Sequence, residues 1–116
     1  MGEMSKQFAC GAYEVVDKLA KDAWERLKKA HKKKDNQAVE EAIKDFSEAM
    51  EQVNDIWPAV VEVLNLQVDN SATETAVLAG YSEAKRLLPN ADKKLWISRG
   101  DHVATRTLYK ASRMWP

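Results

Sequence analysis

Apolar residues recur at steps of three and four along most of this chain, the pattern of helices that bury one face. From Phe8 to Ala30 the positions Phe8, Ala12, Val15, Leu19, Ala23, Leu27 and Ala30 form such a stripe, with Lys18, Lys21, Glu25, Lys28 and Lys32 on the other side. Ser5 is the expected N-cap, and the polar run 32–36 closes the segment with cations where the helix dipole favours them. Asp35 or Asn36 then caps a second helix carrying Val39, Ile43, Phe46, Met50, Val53 and Trp57, so the two form an antiparallel hairpin. Pro58 has no amide proton and crowds the preceding turn, which predicts a kink or restart near Asp55–Pro58 before Val60, Val61 and Leu64.

Ser71-Ala72-Thr73-Glu74 reads as a capping box that opens a third helix with Val77, Leu78, Tyr81, Ala84, Leu87 and Leu88. Pro89 ends it, because proline disfavours a helical residue before it. Asn90 or Asp92 opens the last segment, with Leu95, Trp96, Val103, Ala104, Leu108, Ala111 and Trp115, and Gly100-Asp101 is either a break or a flaw in one helix. Gly80 in mid-helix points to a close helix crossing as well as to a kink. Strand-type alternation is lacking and connections are short. The expected fold is all-α, a single domain over 1–116 built as a bundle of four to five helices.

Composition adds that the chain is long enough to bury a core without a metal or disulfide, and its lone cysteine, Cys10, allows no disulfide framework. Met1–Lys6 lacks the features of a signal peptide, and the apolar run Ile56–Val61 is too short to cross a bilayer, so a cytoplasmic protein is expected.

Charge changes the picture more. The formal net charge is zero, yet residues 1–34 hold nine cationic and five acidic side chains, residues 35–83 one and eleven, and residues 84–116 eight and two. On the helices these blocks predict an acidic face of Glu41, Asp45, Glu48, Asp55 and Glu62, and a basic face of Arg99, His102, Arg106, Lys110 and Arg113. An ordinary bundle also puts its charges opposite its apolar stripe. The functional alternative is that one face docks a partner of opposite charge, or that the two faces pair with each other within or between copies.

Trp57, Trp96 and Trp115 are candidate aromatic anchors, since four tryptophans exceed what a small helical core commonly uses. Interleaved with the basic residues, Trp96, Tyr109 and Trp115 also fit stacking on nucleic-acid bases. Thr105–Tyr109 resembles the opening of a helix-turn-helix recognition helix, although His102 stands where the turn glycine is expected. The neutral total argues against a dedicated nucleic-acid binder.

Catalytic and metal chemistry find little footing. Neither His31 nor His102 has a carboxylate three residues before it, the spacing di-iron bundles use; Lys28 and Arg99 stand there. Cys10 belongs to no recognisable triad, and the glycines are too scattered for a phosphate loop. The expectation is a non-enzymatic protein-interaction module, regulator or inhibitor without a cofactor. It binds a protein partner or itself through charged and tryptophan-bearing faces. The alternative is a small nucleic-acid-binding regulator using the basic C-terminal helix.

Overall fold

The computed structural model describes residues 3–66 and 70–113, and these form four α-helices and no strand: α1 Glu3–Lys32, α2 Asn36–Leu64, α3 Asn70–Leu87 and α4 Lys93–Arg113. Helix formation follows from the prevalence of Ala, Lys, Glu and Leu, while the boundaries come from specific caps. Lys34 takes a left-handed backbone (φ 58°), and the amide of Asp35 donates to the Ala30 carbonyl at 3.0 Å, closing α1. Asp35 then caps α2, its carboxylate accepting from the Ala38 amide at 3.1 Å. Asn65, also left-handed, closes α2 in the same way.

Ring contacts set the register of the first hairpin. Trp24 packs on Phe46 with ring centroids 5.1 Å apart, and Tyr13 on Trp57 at 5.4 Å, so α2 runs antiparallel along α1. Tyr81 against Trp96 at 5.7 Å does the same for α3 and α4. Tyr13 meets Tyr109 at 4.6 Å and Asp17 meets His102 at 3.0 Å, which places α4 antiparallel to α1. The topology is up-down-up-down, with each hairpin packed closely within itself and α4 bridging to α1 and α2.

Between α3 and α4 the backbones nearly touch. A Cβ on Gly80 would lie 2.5 Å from the Arg99 carbonyl oxygen, and one on Gly100 would lie 2.7 Å from that of Val77. Gly80 is thus a crossing point, and Gly100 is its counterpart inside a continuous α4, with no break at Gly100-Asp101. The continuous helix also leaves no turn before Thr105, which removes the helix-turn-helix likeness.

Two further expectations are corrected and a third is narrowed. First, the core face of α1 consists of Ala9, Cys10, Tyr13, Ala20, Ala23, Trp24, Leu27 and Ala30, whereas Phe8, Val15 and Leu19 stand in solvent. At about 100° per residue the buried face is turned by roughly 140° from the expected one over its first half. The reason lies at Asp17, which the pattern assigns outside and the fold buries completely. Second, α3 begins at Asn70, so Ser71 sits in its first turn and not at the N-cap. Third, of the kink or restart expected near Asp55–Pro58, the restart is excluded, since α2 passes through Pro58 as one helix. Pro58 and Asn54, whose carbonyl loses its intrahelical donor, are both exposed, so water can satisfy that carbonyl.

Candidate functional site

Two features stand apart from ordinary bundle packing: a charged network inside the molecule and an apolar stripe outside it.

The network forms where the two hairpins meet. Asp17 on α1 and His102 on α4 are both 0% exposed. The Asp17 carboxylate faces His102 Nε2 at 3.0 Å through Oδ1 and accepts from Arg106 Nη1 through Oδ2. On the other edge of the imidazole, Arg99 Nη1 lies 2.9 Å from His102 Nδ1. A guanidinium only donates, so Nδ1 accepts, and the ring proton sits on Nε2, donated to Asp17. Arg99 continues to Glu83 on α3, whose carboxylate oxygens are each 3.4 Å from Nη2, and the Trp24 indole donates to the same carboxylate at 2.8 Å. The Arg99 guanidinium also lies over the Trp24 ring, 4.7 Å from its centroid, and Phe46 from α2 meets His102 edge-on.

Asp17 and His102 satisfy each other in the interior, whereas Arg99 Nε is buried without a hydrogen-bond partner among the described residues and Glu83 is partly exposed. Burial pulls the Arg99 guanidinium below its ordinary value, and the Glu83 carboxylate pulls the other way. Burial likewise pushes the Tyr13 phenol up, with Thr105 acting against it. Beside Asp17 and Arg106 a cleft of about 390 Å³ opens to solvent, walled by Glu14, Val15, Lys18 and Lys21.

This arrangement corrects the expected basic face. Arg99, His102 and Arg106 are turned inward against α1 and α3, drawn there by Asp17 and Glu83, while Lys110 is half-buried. The side chain of Arg113 and all of Trp115 lie outside the described residues. Of the acidic residues, Glu41, Glu48, Asp55 and Glu62 are exposed along α2 and Asp45 is half-buried, bonded to Arg26 at 3.0 Å. Trp57 and Trp96 are half-buried against the core, the latter donating to the Leu88 carbonyl at 3.0 Å.

The sequence reading missed Asp17, Glu83 and Trp24. Their only signal was an aspartate between Tyr13 and Ala20 on a face otherwise apolar, which carries no information about partners 85 and 89 residues away.

The outer stripe is the other half of the same misreading. Phe8 is 72% exposed, Val15 61% and Leu19 50%, and with Ala12 they run along one line of α1. Next to Leu19 a groove of about 260 Å³ separates α1 from α2, floored by Ala49 and rimmed by Arg26, Asp45, Glu48 and Gln52.

Among the described residues no group of three or more His, Cys, Asp or Glu is placed to hold a metal ion, and no helix is long and apolar enough to cross a membrane. Comparison with protein families, with curated proteins and with solved structures returned no match to this chain.

Proposed function

We propose that this protein is a non-enzymatic interaction module, a small regulator or inhibitor that binds a protein partner, or itself, through a helical face. The observation that carries the reading is the exposed line of Phe8, Val15 and Leu19 on α1, since contiguous apolar side chains left in solvent mark contact surfaces. The acidic residues of α2 supply its charged rim, with Asp45 and Glu48 at the groove beside Leu19. A kink at Pro58, where one backbone hydrogen bond is missing, sets the direction of the Asp55–Glu62 end of that rim.

A binding role is supported over acid–base chemistry because both nitrogens of His102 are engaged and its ring is sealed from solvent. The nucleic-acid alternative has lost two of its cations, Arg99 and Arg106, to Glu83 and Asp17. Weak, salt-independent or absent binding of the full chain to DNA and RNA at low ionic strength is therefore expected; tight binding that falls steeply with salt would reinstate that alternative.

The direct test immobilises the full chain and compares proteins retained from a lysate of its native host by wild type and by Leu19→Lys. The expected result is at least a tenfold loss of specifically retained protein in the variant. Equal retention by the two removes the α1 face from the reading.

A further inference from the structure

The fold brings the two basic blocks of the chain together at one end of the bundle. Along the α1–α4 seam Tyr13 meets Tyr109 and Trp24 meets Arg99, so the two helices keep pace and Ala30 stands level with Lys93. The α1–α2 and α3–α4 turns therefore share that end. Lys28, Lys29, Lys32, Lys33 and Lys34 lead into the first turn, and Lys85, Arg86, Lys93 and Lys94 flank the second, all of them exposed. Within residues 28–35 and 85–94 the acids are Asp35 and Asp92 alone. Both are spent as caps, Asp35 accepting from the Ala38 amide at 3.1 Å and Asp92 from the Lys94 amide at 2.9 Å. Among the described residues, Lys28 alone of these cations has an ion-pair partner, Glu25 at 3.2 Å, while Lys85 lies over the Trp96 ring.

Several of these cations stand where they oppose stability. Lys93 and Lys94 occupy the first turn of α4, where the helix dipole disfavours positive charge, and Lys34 holds a left-handed backbone that glycine adopts freely. Residues kept against local preference mark surfaces that serve function. Beside them a groove of about 300 Å³ opens between α1 and α2. Lys29 and Lys33 stand on its α1 side, Ala30, Ala38 and Ala42 form its floor, and Glu41 stands on its α2 side.

We propose that this basic end, with the groove at its side, is the docking surface for an acidic amphipathic segment of a partner protein. The carboxylates of the segment meet the lysines, and its apolar side chains rest on the alanine floor. The inference rests on the reading of the chain as an interaction module and gives it a second surface, separate from the line of Phe8, Val15 and Leu19. Charge complementarity sets the sign of the partner, because the two carboxylates at this end already serve the backbone and leave the cations to be matched from outside. A protein is favoured over nucleic acid: all of these cations but Arg86 are lysines, which lack the bidentate fork, and no Phe, Tyr or Trp stands among residues 28–35 and 85–94 to stack on a base. The alanine floor suits an apolar side chain, which neither a phosphate backbone nor a lipid headgroup offers.

The test titrates the full chain with a helical peptide bearing glutamates on one face and leucines on the other. A glutamate homopolymer, duplex DNA and phosphatidylserine vesicles are the rivals. The wild type is expected to bind the amphipathic peptide most tightly, with an affinity that falls as salt rises. Lys29→Glu/Lys33→Glu should weaken that binding by about tenfold or more, and Glu41→Gln should tighten it. Ala38→Gln fills the floor with no change of charge, and should weaken the peptide by about tenfold while leaving the homopolymer unchanged. Lys18→Glu/Lys21→Glu makes the same charge change on α1 more than a Debye length away, and should alter the affinity by less than about twofold. These positions are all at least partly exposed, and circular dichroism checks that each variant keeps its helices.

Equal weakening by the two charge-reversal pairs, or equal affinity for the homopolymer, overturns the groove as the site. Tighter binding of DNA or vesicles than of the peptide overturns a protein partner. If the peptide does not bind at low salt, yet Leu19→Lys still loses retained protein from the lysate, this inference fails and the interaction module stands. If Leu19→Lys loses nothing as well, both fail.

Discussion

Single residues decide how this bundle tolerates charge in its interior. Asp17 is the acceptor for both His102 and Arg106, so Asp17→Ala strands the Nε2 proton of the fully buried His102 and takes the anion away from Arg106. Removing one partner of a buried charged set typically costs about 3–5 kcal/mol, and urea denaturation should show a loss of that size for Asp17→Ala. A loss under about 1 kcal/mol would mean that the network contributes only as a surface pair does. Asp101 makes the opposite case. Burial raises its carboxyl above the ordinary value of 3.8, so the folded chain holds that proton more tightly than the unfolded one. Its favourable contribution is complete below pH 3.8 and is lost as pH rises through the folded value. Asp101→Asn should therefore melt higher than wild type at pH 7, with the gap closing as the pH falls toward 3.8; a gap that does not vary with pH would show that the carboxyl is not its source.

Within elements, the glycines separate into two kinds. Gly11 has nothing within 4 Å of an added Cβ, and Gly11→Ala should stabilise α1 by about 1 kcal/mol through helix propensity alone. Gly80→Ala offers the same propensity but drives a Cβ into the α4 backbone, and thermal melting should show a net loss of about 1–3 kcal/mol. If both variants melt higher, α3 and α4 are further apart than 2.5 Å from that Cβ to the Arg99 carbonyl implies. The α1–α2 turn holds a third device: Lys34 pays a left-handed backbone penalty that glycine does not. Lys34→Gly should raise stability by about 1 kcal/mol, with Lys34→Ala as the control that gains nothing. Most of this scale was legible from the sequence. Asp35 as a cap, the ends of the helices near residues 32, 64 and 88, and the crossing at Gly80 all rest on local chemistry, and local chemistry is what a sequence states directly.

Across the whole molecule, the charged network is the seam between the two hairpins: Asp17 and Trp24 on one side, Glu83, Arg99, His102 and Arg106 on the other. Its two carboxylates act through a shared Arg99–His102 pair, so Asp17→Asn and Glu83→Gln should be non-additive, with a coupling of about 0.5–3 kcal/mol in a double-mutant cycle. Strict additivity would divide the seam into two independent contacts. The segregated charge blocks take on a different meaning here. Part of the basic C-terminal block is consumed internally by Asp17 from the N-terminal block and Glu83 from the acidic middle, while Glu41, Glu48, Asp55 and Glu62 stay on the surface of α2.

The sequence by itself determined that this chain is helical, that its first two helices pair as a hairpin, and that its charge is carried in opposed blocks, because periodicity, caps and composition are properties of neighbouring residues. Only the tertiary structure decided which face of α1 is inside and which side of α4 its arginines occupy. An aspartate is buried or exposed according to the donors that meet it, and those donors lie 85 and 89 residues along the chain. Once Asp17 was drawn inward by His102 and Arg106, α1 had to rotate with it, and Phe8, Val15 and Leu19 were left outside.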